Sequence, residues 1–323
     1  MKIRSAQARS ITTVGVALAL LTGCGGGSSN TAGGGSSNTA GGGAGADKKL
    51  SGMSVRMGAK EFTESKVLAQ IANDVLQNAG AKVTTSSLSG SATVRAALEK
   101  GEIDMYWEYT GTGWVNILKH TTTDLPTDLY AKVADEDKTK NKIAWLKPAP
   151  MNDTYRIAVT KDFAAKNKIA TMSDAAAYIK ANPANAQVCA ASEFINRDDG
   201  LPGLEKAYAF KFSNVVALDL GLVYTQIGKA CDFGEVFSTD GRILANSLAI
   251  IDDDKKFFVD YNAALTMRQE TLDKYPAIAE LMAPVSKALT NEEITKLNAS
   301  VDVDGKKESD VAKKWLEDKK LLG

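Results

Sequence analysis

The chain has a single histidine, His120, and no Gly-x-Ser-x-Gly stretch, so a Ser-His-Asp hydrolase lacks its parts. No Gly-x-x-x-x-Gly-Lys-[Ser/Thr] loop and no Gly-x-Gly-x-x-Gly run opening a helix is present, which removes the usual phosphate cradles. Excess charge of one sign is also missing: 39 basic side chains balance 39 acidic ones. Without a strongly basic surface, nucleic acid is not indicated as a partner. Beyond the N-terminal leader no apolar run is long enough to span a bilayer. Metal-ligating patterns fail on inspection. Asp252-Asp253-Asp254 precedes Lys255-Lys256 and reads as a solvated turn, while Asp302 and Asp304 before Gly305 lack the other ligands of a calcium loop. His120 sits in the polar run KHTTTD and reads as a solvated loop residue. No catalytic group, metal or cofactor is expected.

What is present begins with an address. Lys2, Arg4 and Arg9 precede an apolar run from Ile11 to Leu21, the order of a secretory signal peptide, here residues 1–23. The run ends in Leu21-Thr22-Gly23-Cys24, which resembles the lipobox of bacterial lipoproteins, where the cysteine is acylated and becomes the new N-terminus. Acyl chains on Cys24 would hold the protein on the outer side of the cell membrane. GGGSSNTA then occurs twice, at 25–32 and 33–40, and residues 24–46 read as a tether with a coil span of roughly 25 Å. With Cys24 committed to lipid, Cys189 and Cys231 remain, as one disulfide or as two buried thiols. An exported protein favours the bridge, which would contribute roughly 4 kcal/mol.

From about Asp47 onward the length fits one very large domain or two ordinary ones, and two is expected. Strands are predicted at 54–57, 81–86 and 103–107, with helices at 65–79 and 93–100 between them, an order that argues for a parallel sheet flanked by helices. A second set follows: strands at 156–160, 186–190, 215–218 and 233–237 and helices at 173–180, 202–209 and 221–228, with Ser173 as the expected N-cap. After Phe258 the pattern reads as mostly helical, and Thr290 with Glu293 resembles a capping box. The expected organisation is two α/β lobes, 47–156 with 257–323 and 157–256, the tail returning to the first.

Aromatic residues are only 7% of the chain, yet MYWEYTGTGW (105–114) holds Tyr106, Trp107, Tyr109 and Trp114. Tyr109 falls at a strand end, where open α/β sheets bind ligands. Tyr155 precedes the second set, Phe237 ends a strand, and Tyr261 lies where the chain crosses back. Tyr106 and Trp107 read as packing, and Trp114 as either.

Those positions carry a family likeness. GAKEFTES (58–65), EYTGT (108–112), APMNDTYRIAV (149–159), FINRDDGLPGL (194–204), FSTDGRI (237–243) and YNAAL (261–265) resemble, in order, the motifs of glycine betaine, carnitine and choline binding subunits of bacterial ABC importers. The resemblance implies a type II periplasmic-binding-protein fold, two α/β lobes closing on a ligand, with ABC permease subunits as partners and a monomeric receptor. It implies a cage for a quaternary ammonium formed by Tyr109, Tyr155 and Tyr261, with Phe237 where the family has a fourth tyrosine. A trimethylammonium has no N–H to donate, so ring quadrupoles recognise it. The resemblance further gives Asp153 a backbone carbonyl turned to the cation and assigns Lys60, Thr112 and Arg197 to the ligand carboxylate. Ser91 and Thr93 lie where the family varies between choline and betaine users, and Ser65 replaces the usual Gln. A receptor of the same fold for another small solute is the alternative.

Overall fold

The computed structural model describes residues 48–322. The signal peptide, Cys24 and the tether predicted for residues 1–46 lie outside the described residues. No described helix is long and apolar enough to cross a membrane.

Two five-stranded sheets carry the fold. The first contains β1 (Ser54–Lys60), β2 (Lys82–Leu88), β3 (Met105–Tyr109), β4 (Ile143–Trp145) and a late strand, β10 (Ala263–Arg268), in the order β2-β1-β3-β10-β4. The second contains β5 (Tyr155–Thr160), β6 (Gln187–Ala190), β7 (Asn214–Ala217), β8 (Phe233–Phe237) and β9 (Leu248–Ile251), in the order β7-β6-β8-β5-β9. The chain crosses between the sheets after Trp145 and returns before Ala263, as the two-lobe reading requires.

Every residue of β3 is buried because both faces of its sheet are covered. Trp107 enters the core that includes Leu68 and Ile71 of the helix Thr63–Asn78. Tyr106 points to the other core, with Val94, Leu98 and Trp114. Both are packing residues, as their alternation along the strand predicts. The tail helices Ala277–Ala288, Asn291–Asp302 and Glu308–Asp318 pack on Thr63–Asn78. In the second lobe, Cys189 of β6 and Cys231 are joined in a disulfide.

Neither sheet is wholly parallel, which corrects the simple β-α-β expectation. β1 runs parallel to β2 and β3, but β10 is antiparallel to β3 and β4, and β5 is antiparallel to β8 and β9. A strand fed by a crossover helix starts at the same edge as its predecessor. β5 and β10 instead follow the lobe crossings and start where β8 and β3 end: Tyr155 pairs with Phe237, and Ala263 with Tyr109. The reversal therefore gathers the predicted aromatic positions at one edge. β10 was also hidden inside the stretch read as helical, being buried at five consecutive positions without alternation.

Several local expectations change. The cap of Met172–Ala181 is Thr171, in a full capping box with Asp174, while Ser173 bonds Asp254. Thr290 does accept the Glu293 N–H, but the Glu293 carboxylate turns to Trp315 and Lys319. Asp253 is buried rather than solvated, accepting from Tyr208 and from the Phe258 N–H. Asp302 ends a helix and accepts from Thr63. His120 stacks on Trp114 with centroids 3.7 Å apart and bonds Glu136, so a planar ring on a buried indole replaces the solvated loop residue, and Trp114 is packing.

Candidate functional site

The lobes enclose a cleft of about 1050 Å³, the size of a small-molecule site. Lys60, Tyr109, Thr112, Asp153, Tyr155, Arg197, Phe237 and Tyr261 all line it, as does Ser91. Thr93 is exposed on the helix Ser91–Glu99 and is not part of the lining. Ser65 is buried, and its hydroxyl accepts the Lys60 N–H at 2.8 Å, so it fixes the end of β1.

Tyr155 is the centre of the aromatic cluster. Its ring lies 5.0 Å from Phe237 and 5.4 Å from Tyr261, the latter edge-on at 85°. Phe62 bridges to the remaining predicted ring, 5.4 Å from Phe237 and 6.2 Å from Tyr109. Phe194 backs Tyr155 at 5.1 Å. Sequence reading missed Phe62 and Phe194 as site residues, although both stand inside the quoted motifs. Phe62 follows a strand end just as Tyr109 ends one, which was the available signal.

The charged side chains are paired with one another. Lys60 is buried, bonds Glu108 at 2.6 Å and holds its ammonium 5.1 Å from the Tyr109 ring centroid. Arg197 uses Nε and Nη2 on Asp199, Nη1 on Glu193 and Nη2 again on Thr112 Oγ1. A guanidinium has five N–H donors, so one on Nη1 remains after these bonds. Asp199 also accepts from Tyr261 Oη at 2.5 Å and from Asn116. Glu193 receives both the N–H and the hydroxyl of Ser91 across the cleft. Burial alone would raise Glu193, but the Lys60 and Arg197 charges and the Ser91 donors override it and lower it to about 2.

Two carboxyls behave differently. Glu235, two residues before Phe237 on the same face of β8, accepts the Ala191 N–H and is pushed up to about 8, by burial first and then by Glu193. Asp153 donates its N–H to the Tyr261 carbonyl, while its side chain meets Thr239. Burial and the neighbouring Glu64 raise Asp153 well above the usual carboxylate range. Among the described residues no group of three His, Cys, Asp or Glu side chains is arranged to hold a metal.

Residues 53–318 match the OpuAC family, described as the substrate binding domain of ABC-type glycine betaine transport systems. The chain belongs to this family. Like other OpuAC members it is a substrate-binding protein of ABC transporters of the glycine betaine and carnitine type, and not an enzyme. A glycine-betaine-binding protein of Pseudomonas aeruginosa is 34% identical, over 83% of this chain and 89% of that protein. The glycine betaine-binding protein YehZ of Escherichia coli is 32% identical, over 82% and 90%. The crystal structure of a glycine betaine/carnitine/choline ABC transporter superposes with a TM-score of 0.68 at 26% identity, covering 83% of this chain and 100% of that one. The two sheets and their crossings are thus the type II binding-protein fold of this family.

Proposed function

We propose that this OpuAC member is an extracytoplasmic receptor, anchored through lipidated Cys24, that captures a quaternary ammonium osmolyte and delivers it to its ABC permease. Glycine betaine, carnitine and choline are the ligands considered. Lobes 47–156 with 257–323 and 157–256 close on the ligand about the two crossings. The observation that carries the reading is the convergence of Tyr109, Tyr155, Phe237 and Tyr261, from two lobes, on one cleft. Each ring face contributes roughly 0.5 to 2 kcal/mol to a desolvated cation. The free Nη1 donor of Arg197, with Thr112 and Lys60 nearby, suits a carboxylate at the other end.

One observation favours a second reading of the ligand. Arg197 and Lys60 already face buried carboxylates, an arrangement that suits a cation without a carboxylate, such as choline. Isothermal titration of the full chain with glycine betaine, carnitine, choline and proline tests both. Micromolar binding of any quaternary ammonium with weak proline binding is expected, the rank of choline deciding between the readings. Silence toward all three would refute the cage.

A further inference from the structure

At the Tyr109 hydroxyl lies a buried acidic pair, Glu64 and Asp153, drawn from distant parts of the chain, and Asp153 also lines the cleft. Glu64, in the first turn of the helix Thr63–Asn78, accepts from Tyr109 Oη at 2.8 Å, from Thr239 Oγ1 at 2.6 Å and from Asn298 Nδ2 at 3.0 Å. All three donors are neutral. Thr239 Oγ1 also lies within hydrogen-bond distance of Asp153 Oδ1. A hydroxyl has one proton to give, so one of the two carboxyls carries a proton; Glu64 already takes the Tyr109 and Asn298 donors, which favours its ionised form and leaves the proton to Asp153. The chain of donors then runs from the Asp153 carboxyl to Thr239 and from Thr239 to Glu64, leaving one net negative charge, held on Glu64. Both carboxyl side chains are buried, and among the described residues neither makes an ion pair.

An uncompensated buried charge is costly, and folded proteins place a partner beside it. Here the Tyr109 ring lines the cleft, where the cage reading puts a cation. We infer that the Glu64–Asp153 pair is the counter-charge of the bound cation, acting through the Tyr109 hydroxyl. Glu64 is a positioning residue: its hydrogen bond fixes the ring, and its charge makes the ring face more attractive to a cation. Asp199 holds Tyr261 by the same kind of bond, but its charge is met by Arg197. Glu64 is a buried carboxylate that, among the described residues, meets no cation of the protein's own. This inference rests on the cage reading and goes beyond it, since rings alone need no carboxylate beside them.

The test uses choline and its neutral isostere 3,3-dimethyl-1-butanol, titrated into the full chain and its variants. Their affinity ratio isolates the charge of the ligand from its shape. Glu64→Gln is expected to lower the ratio about tenfold. Damage to packing alone would weaken both probes equally and leave the ratio intact. A folded Glu64→Gln variant with an unchanged ratio overturns the inference. If Glu64→Gln does not fold, Tyr109→Phe carries the test: it keeps the ring, removes the coupling hydroxyl and is expected to lower the ratio roughly threefold, and no change overturns the inference. Failure of the parent chain to bind choline or glycine betaine would instead refute the cage, which separates the two failures.

Discussion

The Tyr261 hydroxyl donates to Asp199 at 2.5 Å, and Asp199 grips Arg197 through two nitrogens. A cleft-lining ring on the return crossing is thereby tied to a guanidinium from the second lobe. Asp199→Ala frees both, leaving the buried guanidinium with Glu193 as its one carboxylate. Removing one member of such a pair is expected to cost roughly 3 kcal/mol of stability, read as a lower urea midpoint at unchanged slope.

Arg197→Ala separates the two ends of the ligand. It takes away the remaining Nη1 donor but leaves the rings in place. Glycine betaine affinity is expected to fall about tenfold to a hundredfold, the worth of one charge-assisted bond, while choline is not weakened. Calorimetric titration of both ligands checks this, and equal losses would contradict the assignment of Arg197 to the carboxylate.

Tyr155 touches Phe194, Phe237 and Tyr261 at once. Tyr155→Ala is expected to weaken every quaternary ammonium by at least tenfold, having removed one ring face and loosened two more. Tyr155→Phe keeps the face and should bind within about threefold of the parent. Parallel titrations of the two variants distinguish loss of the ring from loss of the hydroxyl.

How much of this was legible in the sequence depends on which part is asked. Tyr109, Tyr155, Phe237 and Tyr261 stood out because each falls at a strand end or a crossing, and the fold brought them to one cleft. Lys60, Thr112 and Arg197 were named through the family motifs, but their carboxylate partners Glu108, Glu193 and Asp199 did not stand out, nor did Glu64. Glu64 meets Tyr109 across 45 positions and Thr239 across 175, and Arg197 reaches Thr112 across 85. No periodicity encodes such distances. β10 was hidden for a different reason: its residues are buried on both faces, so the alternation that marks a half-exposed strand is absent. Ser173 is a good cap residue by type, but Thr171, two positions earlier, has Asp174 at the position that completes the box.

Glu235 makes stability depend on pH. Its ordinary value is 4.5 and burial pushes it up to about 8, so the folded state holds a proton that the unfolded chain releases between those values. Its stabilising effect is complete below pH 4.5 and is lost as pH rises through about 8. The loss amounts to roughly 4 to 5 kcal/mol at most. Urea midpoints taken from pH 5 to about 9 should fall in the parent and stay flatter in Glu235→Gln. Equal slopes in both proteins would show that Glu235 ionises normally.

The position of the cation is the point on which the rest depends. A crystal structure of the protein with glycine betaine measures it directly. The trimethylammonium is expected within about 6 Å of the ring centroids of Tyr109, Tyr155, Phe237 and Tyr261, with the carboxylate toward Arg197 and Thr112. A betaine lying elsewhere in the cleft, with its carboxylate toward those rings, would contradict the cage.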